Sequence, residues 1–232
     1  MKRITLFAGH YGSGKTNIAL NYARWIRRGG AKVTVADLDI VNPYFRTKDS
    51  QEALRREGIG LVVSEFANSN VDFPALPKET YALIADRDLK LVIDVGGDDR
   101  GALALGRYVD DIRASADYEM LGVVNFARPL TRTPEDAASC LGEIELACGL
   151  RFTGIVNNTN LGPETTADVL LGSQPLAERT AELMGVPFRF ACAARPLADA
   201  LAGSVPGLFP LDIQRLYYQL TGVGGAGGQS GL

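Results

Sequence analysis

Residues 9–16 read Gly-His-Tyr-Gly-Ser-Gly-Lys-Thr and match the pattern GxxxxGK[ST] at every fixed position. The three glycines allow the backbone to curl so that its N–H groups point inward and form a cradle for an anion. A helix that starts here adds its partly positive N-terminal end. In this pattern Lys15 reaches the β- and γ-phosphates of a nucleotide, and the Thr16 hydroxyl coordinates Mg²⁺. The spacing predicts a phosphate-binding site made of Gly9, His10, Tyr11, Gly12, Ser13, Gly14, Lys15, Thr16 and Asn17.

Carboxylates end two other apolar runs of the chain. Residues 91–94 read Leu-Val-Ile-Asp, and an aspartate at the end of a buried strand is a typical ligand of a nucleotide's Mg²⁺, directly or through water. Asp94 and Gly97 also form DxxG, in which the glycine N–H can sense the γ-phosphate and move a switch loop. Asp37 and Asp39 end the other run, and residues at i and i+2 of an extended strand point to the same side.

Of Asp37 and Asp39, one would order Mg²⁺ and its waters and the other would orient the attacking water. Capping of a turn is the structural alternative for either carboxylate. We predict three sets of residues: Lys15 and Asp39 as catalytic, Thr16, Asp39 and Asp94 at the metal, and Asp37 and Gly97 in the switch.

Apolar runs typical of strands alternate with helix-like segments along the chain, which positions these residues at strand ends. The predicted strands are 4–8, 32–37, 60–64, 89–95, 119–125, 151–157 and 186–191. The predicted helices are 16–28, 46–57, 76–86, 101–115, 133–148, 164–171, 174–184 and 211–221. This alternation indicates an α/β fold, a doubly wound and mostly parallel sheet of about seven strands with helices on both faces.

We expect a single nucleotide-binding domain over residues 1–221 and a disordered, glycine-rich tail over 222–232. Residues 64–79 interrupt the pattern with prolines and turn-forming residues. A connection of this length is predicted to be either a lid or binding loop, or an ordinary surface excursion.

Composition narrows the classes of function. The net charge is −3 and the basic residues are spread along the chain, which argues against nucleic acid or an anionic membrane as a partner. The apolar run before the loop is too short for a signal peptide core, and no stretch approaches the roughly 20 apolar residues of a membrane span. We therefore expect a cytoplasmic protein, with Cys140, Cys148 and Cys192 as small buried thiols.

The order of these motifs resembles that of the MinD/ParA/CobQ-type ATPases, in the signal-recognition-particle-like class of P-loop proteins, over about residues 1–200. More narrowly, a poorly characterised bacterial group described as ATP-binding or ParA-like has stretches similar to GHYGSGKT, DLDIVNPYFRT, DVGGDDRGALALGRY and VNNTNLGPETT. The resemblance implies that Asp39 activates the hydrolytic water and that Asp94 is linked to Mg²⁺. It also implies that Asn157 or Asn158 contacts the base.

The chain departs from that family at one position of the loop. The family loop is typically GKGGxGKT, with a second lysine that touches phosphate across an ATP-sandwiched dimer, whereas this chain has His10. A histidine carries less charge at pH 7 and has a shorter reach, so dimerisation through that lysine does not carry over, and a homodimer stays one possibility. Arg46 and Arg100 could supply charge to the γ-phosphate instead, or form surface ion pairs.

The base of the bound nucleotide is predicted from the absence of a guanine-reading motif in the sequence. Guanine is typically read by [NT]KxD, and the nearest asparagine cluster, residues 157–160, lacks both the lysine and the aspartate. This favours ATP over GTP. Residues 125–129 end a strand at the edge of the site and either contact the nucleotide or a client protein, or serve only as a loop.

The sequence thus predicts a Mg²⁺-dependent ATP-binding protein. Its first predicted function is slow ATP hydrolysis as a nucleotide switch for an unidentified client protein. One alternative is a small-molecule kinase or ATP-dependent ligase, with loop 64–79 as a lid over the acceptor. A second alternative is a nucleotide-binding scaffold that does not hydrolyse ATP.

Overall fold

The computed structural model describes residues 1–39, 48–63, 78–97, 99–203, 205 and 207–213. The strands in these ranges are β1 (Ile4–Ala8), β2 (Val33–Asp37), β3 (Gly60–Val63), β4 (Lys90–Asp94), β5 (Tyr118–Val124), β6 (Gly154–Asn157), β7 (Phe188–Ala194) and β8 (Phe209–Leu211). The α-helices are α1 (Lys15–Arg28), α2 (Lys48–Arg56), α3 (Lys78–Ala85), α4 (Asp99–Gly106), α5 (Val109–Ser115), α6 (Pro134–Cys148), α7 (Ala167–Met184) and α8 (Arg195–Ala200).

Within these ranges the eight strands form one sheet in the order β3-β2-β4-β1-β5-β6-β7-β8, and all neighbouring strands run parallel. The predicted α/β architecture is confirmed, with one strand more than expected. Strand β1 lies between β4 and β5, with β2 to β4 on one side of it in the sheet and β5 to β8 on the other. In open parallel sheets, ligands bind outside the carboxyl ends of the strands where the strand order reverses. That point is the end of β1, where residues 9–16 begin.

The sheet is buried on both faces because successive side chains of a strand point to opposite sides. Ile4 and Leu6 of β1 pack in the apolar layer that includes residues of α4, α5, α6 and α7. Phe7, the residue after Leu6, packs in the opposite layer with Ile18 and Tyr22 of α1. This two-sided burial explains why the strands read as nearly continuous apolar runs.

Helix boundaries follow local capping rules. The Thr133 hydroxyl accepts a hydrogen bond from the N–H of Asp136 at 3.1 Å and starts α6, and Gly149 ends that helix with a left-handed φ of 76°. Helix α1 ends with Arg27 and Arg28, whose charges complement the negative helix end.

Four of the predicted helices differ from the elements that the structure shows. The predicted last helix begins at Leu211, but this residue ends β8, where it pairs with Ala194 of β7. The predicted helix 101–115 is two helices: α4 ends at Gly106, α5 begins at Val109, and the Tyr108 side chain between them is completely buried. The predicted helices 164–171 and 174–184 are one helix, α7, with Pro175 inside it.

Several predictions lie outside the described residues. These are Arg46, the side chain of Arg100, residues 64–77 of the predicted loop, the last helix beyond residue 213 and the tail 222–232. Among the helices that the structure describes, none is both long and apolar enough to cross a membrane.

A buried ionic network ties the centre of the sheet to its outer strands. The Glu119 carboxylate of β5 is 5% exposed and accepts hydrogen bonds from Thr5 at 3.1 Å, Tyr22 at 3.4 Å and Arg189 at 2.9 Å. Arg189 reaches it across β6 at Gly154, where a Cβ atom would lie only 2.4 Å from the Cγ of Arg189. Burial and the negative charge of Glu119 raise the pKa of Tyr22 to about 12, so this phenol remains a hydrogen-bond donor.

Replacing Glu119 with alanine is expected to destabilise the protein, because three polar partners lose their acceptor. Removing one member of a buried ion pair costs about 3–5 kcal/mol, and the partial exposure of Arg189 reduces this to about 2 kcal/mol. For a chain of this size the melting temperature should fall by about 4–8 °C, measured by circular dichroism.

Arg179→Gln is the matched control for this substitution. It removes an ion pair with Glu182 in which both side chains are more than half exposed. The expected change is within about 0.5 kcal/mol. Equal melting temperatures for the Glu119 and Arg179 variants would contradict a stabilising role of the buried network.

Candidate functional site

Residues 9–16 form a tight turn between β1 and α1. Gly12 and Gly14 adopt left-handed φ angles of 76° and 91°, which favour glycine. The loop is closed by a hydrogen bond from the N–H of Ser13 to the carbonyl of His10 at 3.2 Å. The residue after β6 supports the loop, because the Asn158 amide donates to the carbonyl of Ser13 at 2.7 Å.

Lys15 and Thr16 occupy the first turn of α1. The Lys15 side chain is held inside the loop, where its Nζ donates to the His10 carbonyl at 3.3 Å, and the residue is only 5% exposed. The Thr16 hydroxyl points to the end of β4 and donates to Asp94 Oδ2 at 2.6 Å. The structure therefore brings together the predicted lysine, hydroxyl and carboxylate, although 79 positions of the sequence separate Lys15 from Asp94.

Asp94 is completely buried. Its Oδ1 atom has no hydrogen-bond partner among the residues that the structure describes. Burial raises the pKa of this carboxyl to about 6; the Lys15 charge and the Thr16 hydrogen bond oppose the shift, and the charge of Asp39 adds to it. A buried carboxylate with one unpartnered oxygen is a site that a cation would stabilise.

Asp37 and Asp39 lie beside Asp94 at the same edge of the sheet. Asp37 and Asp94 are register partners of β2 and β4. Asp37 Oδ1 accepts a hydrogen bond from the N–H of Asp39 at 2.8 Å, so this carboxylate shapes the turn after β2. Asp39 is 7% exposed at the end of that turn. The turn-capping alternative therefore applies to Asp37, while the charge of Asp39 acts on the Asp94 carboxyl.

These residues fit a Mg²⁺ ion held together with a nucleotide. No cluster of three or more histidine, cysteine, aspartate or glutamate side chains that could hold a metal occurs in the described part of the chain. Mg²⁺ is usually bound by one or two carboxylates together with substrate phosphates and water. The Thr16 hydroxyl, Asp94 and Asp39 match that mixed ligand set, in which phosphate supplies the oxygens that the protein lacks.

Gly97 packs directly against the phosphate loop. A Cβ atom at this position would lie 2.7 Å from the backbone N of Tyr11 and 2.9 Å from Lys15 Nζ. Only a glycine lets the backbone after β4 approach the loop this closely. The DxxG segment thus lies in contact with the loop, as its predicted role requires.

The other predicted loop residues contribute mainly through their backbone. The carbonyl of His10 accepts from Lys15 and Ser13, and the carbonyl of Asn17 accepts from Asn21 at 2.8 Å. The Tyr11 side chain is 64% exposed at the outer edge of the loop.

The two asparagines at the end of β6 have different surroundings. Asn157 is fully buried, donates to Ser173 of α7 at 2.9 Å and accepts from Thr159, so it joins the strand to the helix. Asn158 faces the phosphate loop and contacts Ser13. A Cβ atom on Gly14 would lie 2.2 Å from the Asn158 amide nitrogen. Of the two, Asn158 lies closer to where a nucleotide would sit.

Arg128 is a loop contact that was not predicted individually. It lies in the segment 125–129, and its Nε donates to the carbonyl of Gly12 at 3.0 Å. The only sequence signal is an arginine shortly after a central strand, and such loops carry arginines for many reasons.

No family model and no curated protein matches this chain. Solved structures do. The cell division protein FtsY from Thermotoga maritima is 20% identical with a TM-score of 0.58, and the match covers 82% of this chain and 61% of that one. The signal recognition particle receptor FtsY from Elizabethkingia anophelis, in complex with GDP, is 17% identical with a TM-score of 0.52, covering 82% and 57%.

The signal recognition particle 54 kDa protein from Aeropyrum pernix, in complex with GDP, is 18% identical with a TM-score of 0.55. That match covers 81% of this chain and 40% of the other, so the chain spans about three fifths or less of these proteins. At these identities the likeness concerns the fold, and the narrower MinD/ParA grouping stays a prediction. The chain shares the α/β, P-loop NTPase-like fold of these FtsY and signal recognition particle proteins.

Proposed function

We propose that this protein binds ATP with Mg²⁺ and hydrolyses it slowly, as a nucleotide switch for a partner protein. The observation that carries the proposal is the group formed by Lys15, Thr16 and Asp94. Thr16 donates to a fully buried aspartate whose second oxygen has no partner in the described structure, and the buried Lys15 charge lies beside it. This combination favours an anionic ligand together with a divalent cation.

Each residue has a proposed role in that reaction. The N–H groups of the loop and Lys15 stabilise negative charge on the phosphates. Thr16 and Asp94 hold Mg²⁺, with Asp39 as a further ligand or through its waters, and the bound ion would neutralise charge on the phosphates. Asp39 orients the attacking water and accepts its proton. Asp37 supports this function by fixing the turn that carries Asp39.

The contact of Gly97 with the loop supports the switch. Its backbone lies close to Lys15, the residue proposed to hold the γ-phosphate, so loss of that phosphate would change the surroundings of the Gly97 peptide. Helix α4 begins two residues later, and Gly101 packs within its first turns against Gly96, where a Cβ atom would lie 2.4 Å from the Gly96 Cα. A shift at Gly97 would therefore move α4, which presents the exposed Leu103 to a partner.

We propose ATP rather than GTP as the nucleotide. The last residue of β6 and the four residues after it, 157–161, contain no carboxylate that could accept hydrogen bonds from the N1–H and amino group of guanine. Asn158 lies nearest the loop and offers both a donor and an acceptor, which suits adenine. GTP is the competing nucleotide, because two of the similar solved structures hold GDP.

The partner is proposed to be an unidentified client protein in the cytoplasm, with a homodimer as an additional assembly. His10 replaces the second loop lysine of MinD/ParA-type ATPases, so such a dimer would need another cation. The net charge of −3 and the dispersed basic residues favour neither nucleic acid nor a membrane as the client.

The test is Asp39→Ala, which separates binding from hydrolysis. We expect phosphate release from Mg²⁺-ATP to fall by about 10²–10⁴-fold, the usual contribution of a general base. Binding of Mg²⁺-ATP, measured by isothermal titration calorimetry, should change much less, and ATP should bind more tightly than GTP.

Asp88→Ala is the control, since Asp88 is exposed in a turn before β4. It removes the same charge and should leave turnover and binding unchanged. Wild-type turnover in the Asp39 variant would refute the proposed role of Asp39. A wild-type protein that binds neither ATP nor GTP at millimolar concentration would refute the proposed function.

A further inference from the structure

Arg128 packs its guanidinium group on the outside of the phosphate loop. Its Nε donates to the carbonyl of Gly12 at 3.0 Å, and a Cβ atom on Gly12 would lie 3.5 Å from the same nitrogen. The side chain is half-buried. A guanidinium group has five N–H donors, and the bond to Gly12 uses one of them. The donors on the two terminal nitrogens are left at the rim of the loop.

No carboxylate among the described residues forms an ion pair with Arg128. The ion pairs in those ranges involve other cations: Lys2, Arg24, Arg28, Lys32, Arg179, Arg189 and Arg195. The acidic group at this end of the sheet, Asp37, Asp39 and Asp94, lies on the β2 and β4 side. Arg128 approaches the loop from the β5 side, so it adds positive charge where that acidic group does not offset it.

The strand order shows which part of a nucleotide Arg128 would face. The proposed metal residues Thr16 and Asp94 place the γ-phosphate towards β4, and Asn158, at the end of β6, lies at the proposed base end. Strand β5 lies between β1 and β6, and Arg128 follows it closely. Its guanidinium group therefore lies between the proposed metal residues and the proposed base end, where the α- and β-phosphates would sit.

We propose that Arg128 is a second cationic contact for the nucleotide, binding the α- and β-phosphates that ADP and ATP share while its Nε holds the loop through Gly12. This inference rests on the proposed nucleotide site. It deepens that proposal by assigning a phosphate contact outside the loop motif. It also explains how the site gains positive charge without a lysine at position 10.

The test compares Arg128→Gln and Arg128→Lys with the wild type. Because charge-assisted hydrogen bonds are stronger than neutral ones, Arg128→Gln should weaken binding of both Mg²⁺-ADP and Mg²⁺-ATP by about tenfold or more. Arg128→Lys keeps the charge but loses the planar fork, and should recover part of the affinity. Binding is measured by isothermal titration calorimetry between about 50 and 300 mM salt.

The dependence on salt separates a phosphate contact from a purely structural role. A lost charge contact reduces the slope of log Kd against log salt in Arg128→Gln and retains it in Arg128→Lys. A structural effect of the Gly12 hydrogen bond would weaken binding without changing that slope, and would overturn the proposal. A much larger loss for ATP than for ADP would also overturn it, since it would place Arg128 at the γ-phosphate.

Arg132→Gln is the matched control, because Arg132 is exposed and lies four residues further along the chain. It removes the same charge and should leave both affinities and the salt slope unchanged. The melting temperature of each variant is measured as well, to check that each one folds. Tight wild-type binding with unchanged binding by Arg128→Gln would refute this inference alone, whereas absence of wild-type binding would refute the proposed function itself.

Discussion

Replacing Lys15 with alanine is expected to weaken binding of Mg²⁺-ATP by at least about 100-fold and to reduce hydrolysis by about 10²–10³-fold. The Lys15 ammonium is enclosed by the loop, with its residue only 5% exposed and its Nζ 3.3 Å from the His10 carbonyl. A charge in such a low-dielectric position acts on phosphate far more strongly than it would in water. Calorimetry for binding and phosphate release for turnover check the two effects.

Lys2→Ala is the control for this substitution. It removes the same charge from an exposed pair with Asp117, in which the two atoms lie 3.9 Å apart. Nucleotide binding and turnover should be unaffected. Lys15→Ala with the affinity and turnover of the wild type would contradict the assignment of residues 9–16 as the phosphate site.

Replacing Asp94 with asparagine is expected to stabilise the nucleotide-free protein while abolishing the effect of Mg²⁺ on nucleotide binding. Burial raises the pKa of Asp94 to about 6 from an ordinary value of 3.8, so keeping it ionised at pH 7.5 costs about 3 kcal/mol. In the variant, the asparagine amide group occupies a position that has no hydrogen-bond partner in the described structure, which costs about 1–2 kcal/mol. The net gain is about 1–2 kcal/mol, or about 3–6 °C in melting temperature.

The stability that Asp94→Asn gains over the wild type should depend on pH in a defined direction. The folded protein binds a proton at Asp94 more readily than the unfolded chain, so ionisation destabilises it as the pH rises from about 4 to 6. The advantage of Asp94→Asn should be complete above that range and disappear as the pH falls through it. Thermal melts at several pH values between 4.5 and 8 measure this change.

Asp117→Asn controls for loss of a carboxylate elsewhere. Asp117 is about half exposed in its pair with Lys2, so its substitution should change the stability by less than about 0.5 kcal/mol. In calorimetry without and with Mg²⁺, the wild type should bind ATP more tightly with the metal and Asp94→Asn should show no difference. A Mg²⁺ effect that persists in Asp94→Asn would remove this residue from the metal site.

Local patterns were sufficient for much of the fold and for the composition of the site. Helix α1 and strand β1 could be predicted almost to the residue, because an apolar run, three glycines and a helical repeat succeed one another without interruption. Strand β8 could not, since three residues that read Phe-Pro-Leu form a strand only by pairing with β7. The break between α4 and α5 follows Gly106, but a second glycine, Gly101, lies inside α4, so a glycine by itself does not mark where the helix ends.

The sequence by itself determined that a glycine-rich loop with the pattern GxxxxGK[ST], two carboxylate-bearing strand ends and a DxxG segment exist, and it predicted the α/β sheet that carries them. These features are local, because spacing and periodicity set backbone conformation over a few residues. Only the tertiary structure decided that Asn157 joins β6 to α7 and that Arg128 reaches the loop 116 positions away. Those roles depend on strand order, which follows from packing of the whole chain and leaves no local pattern.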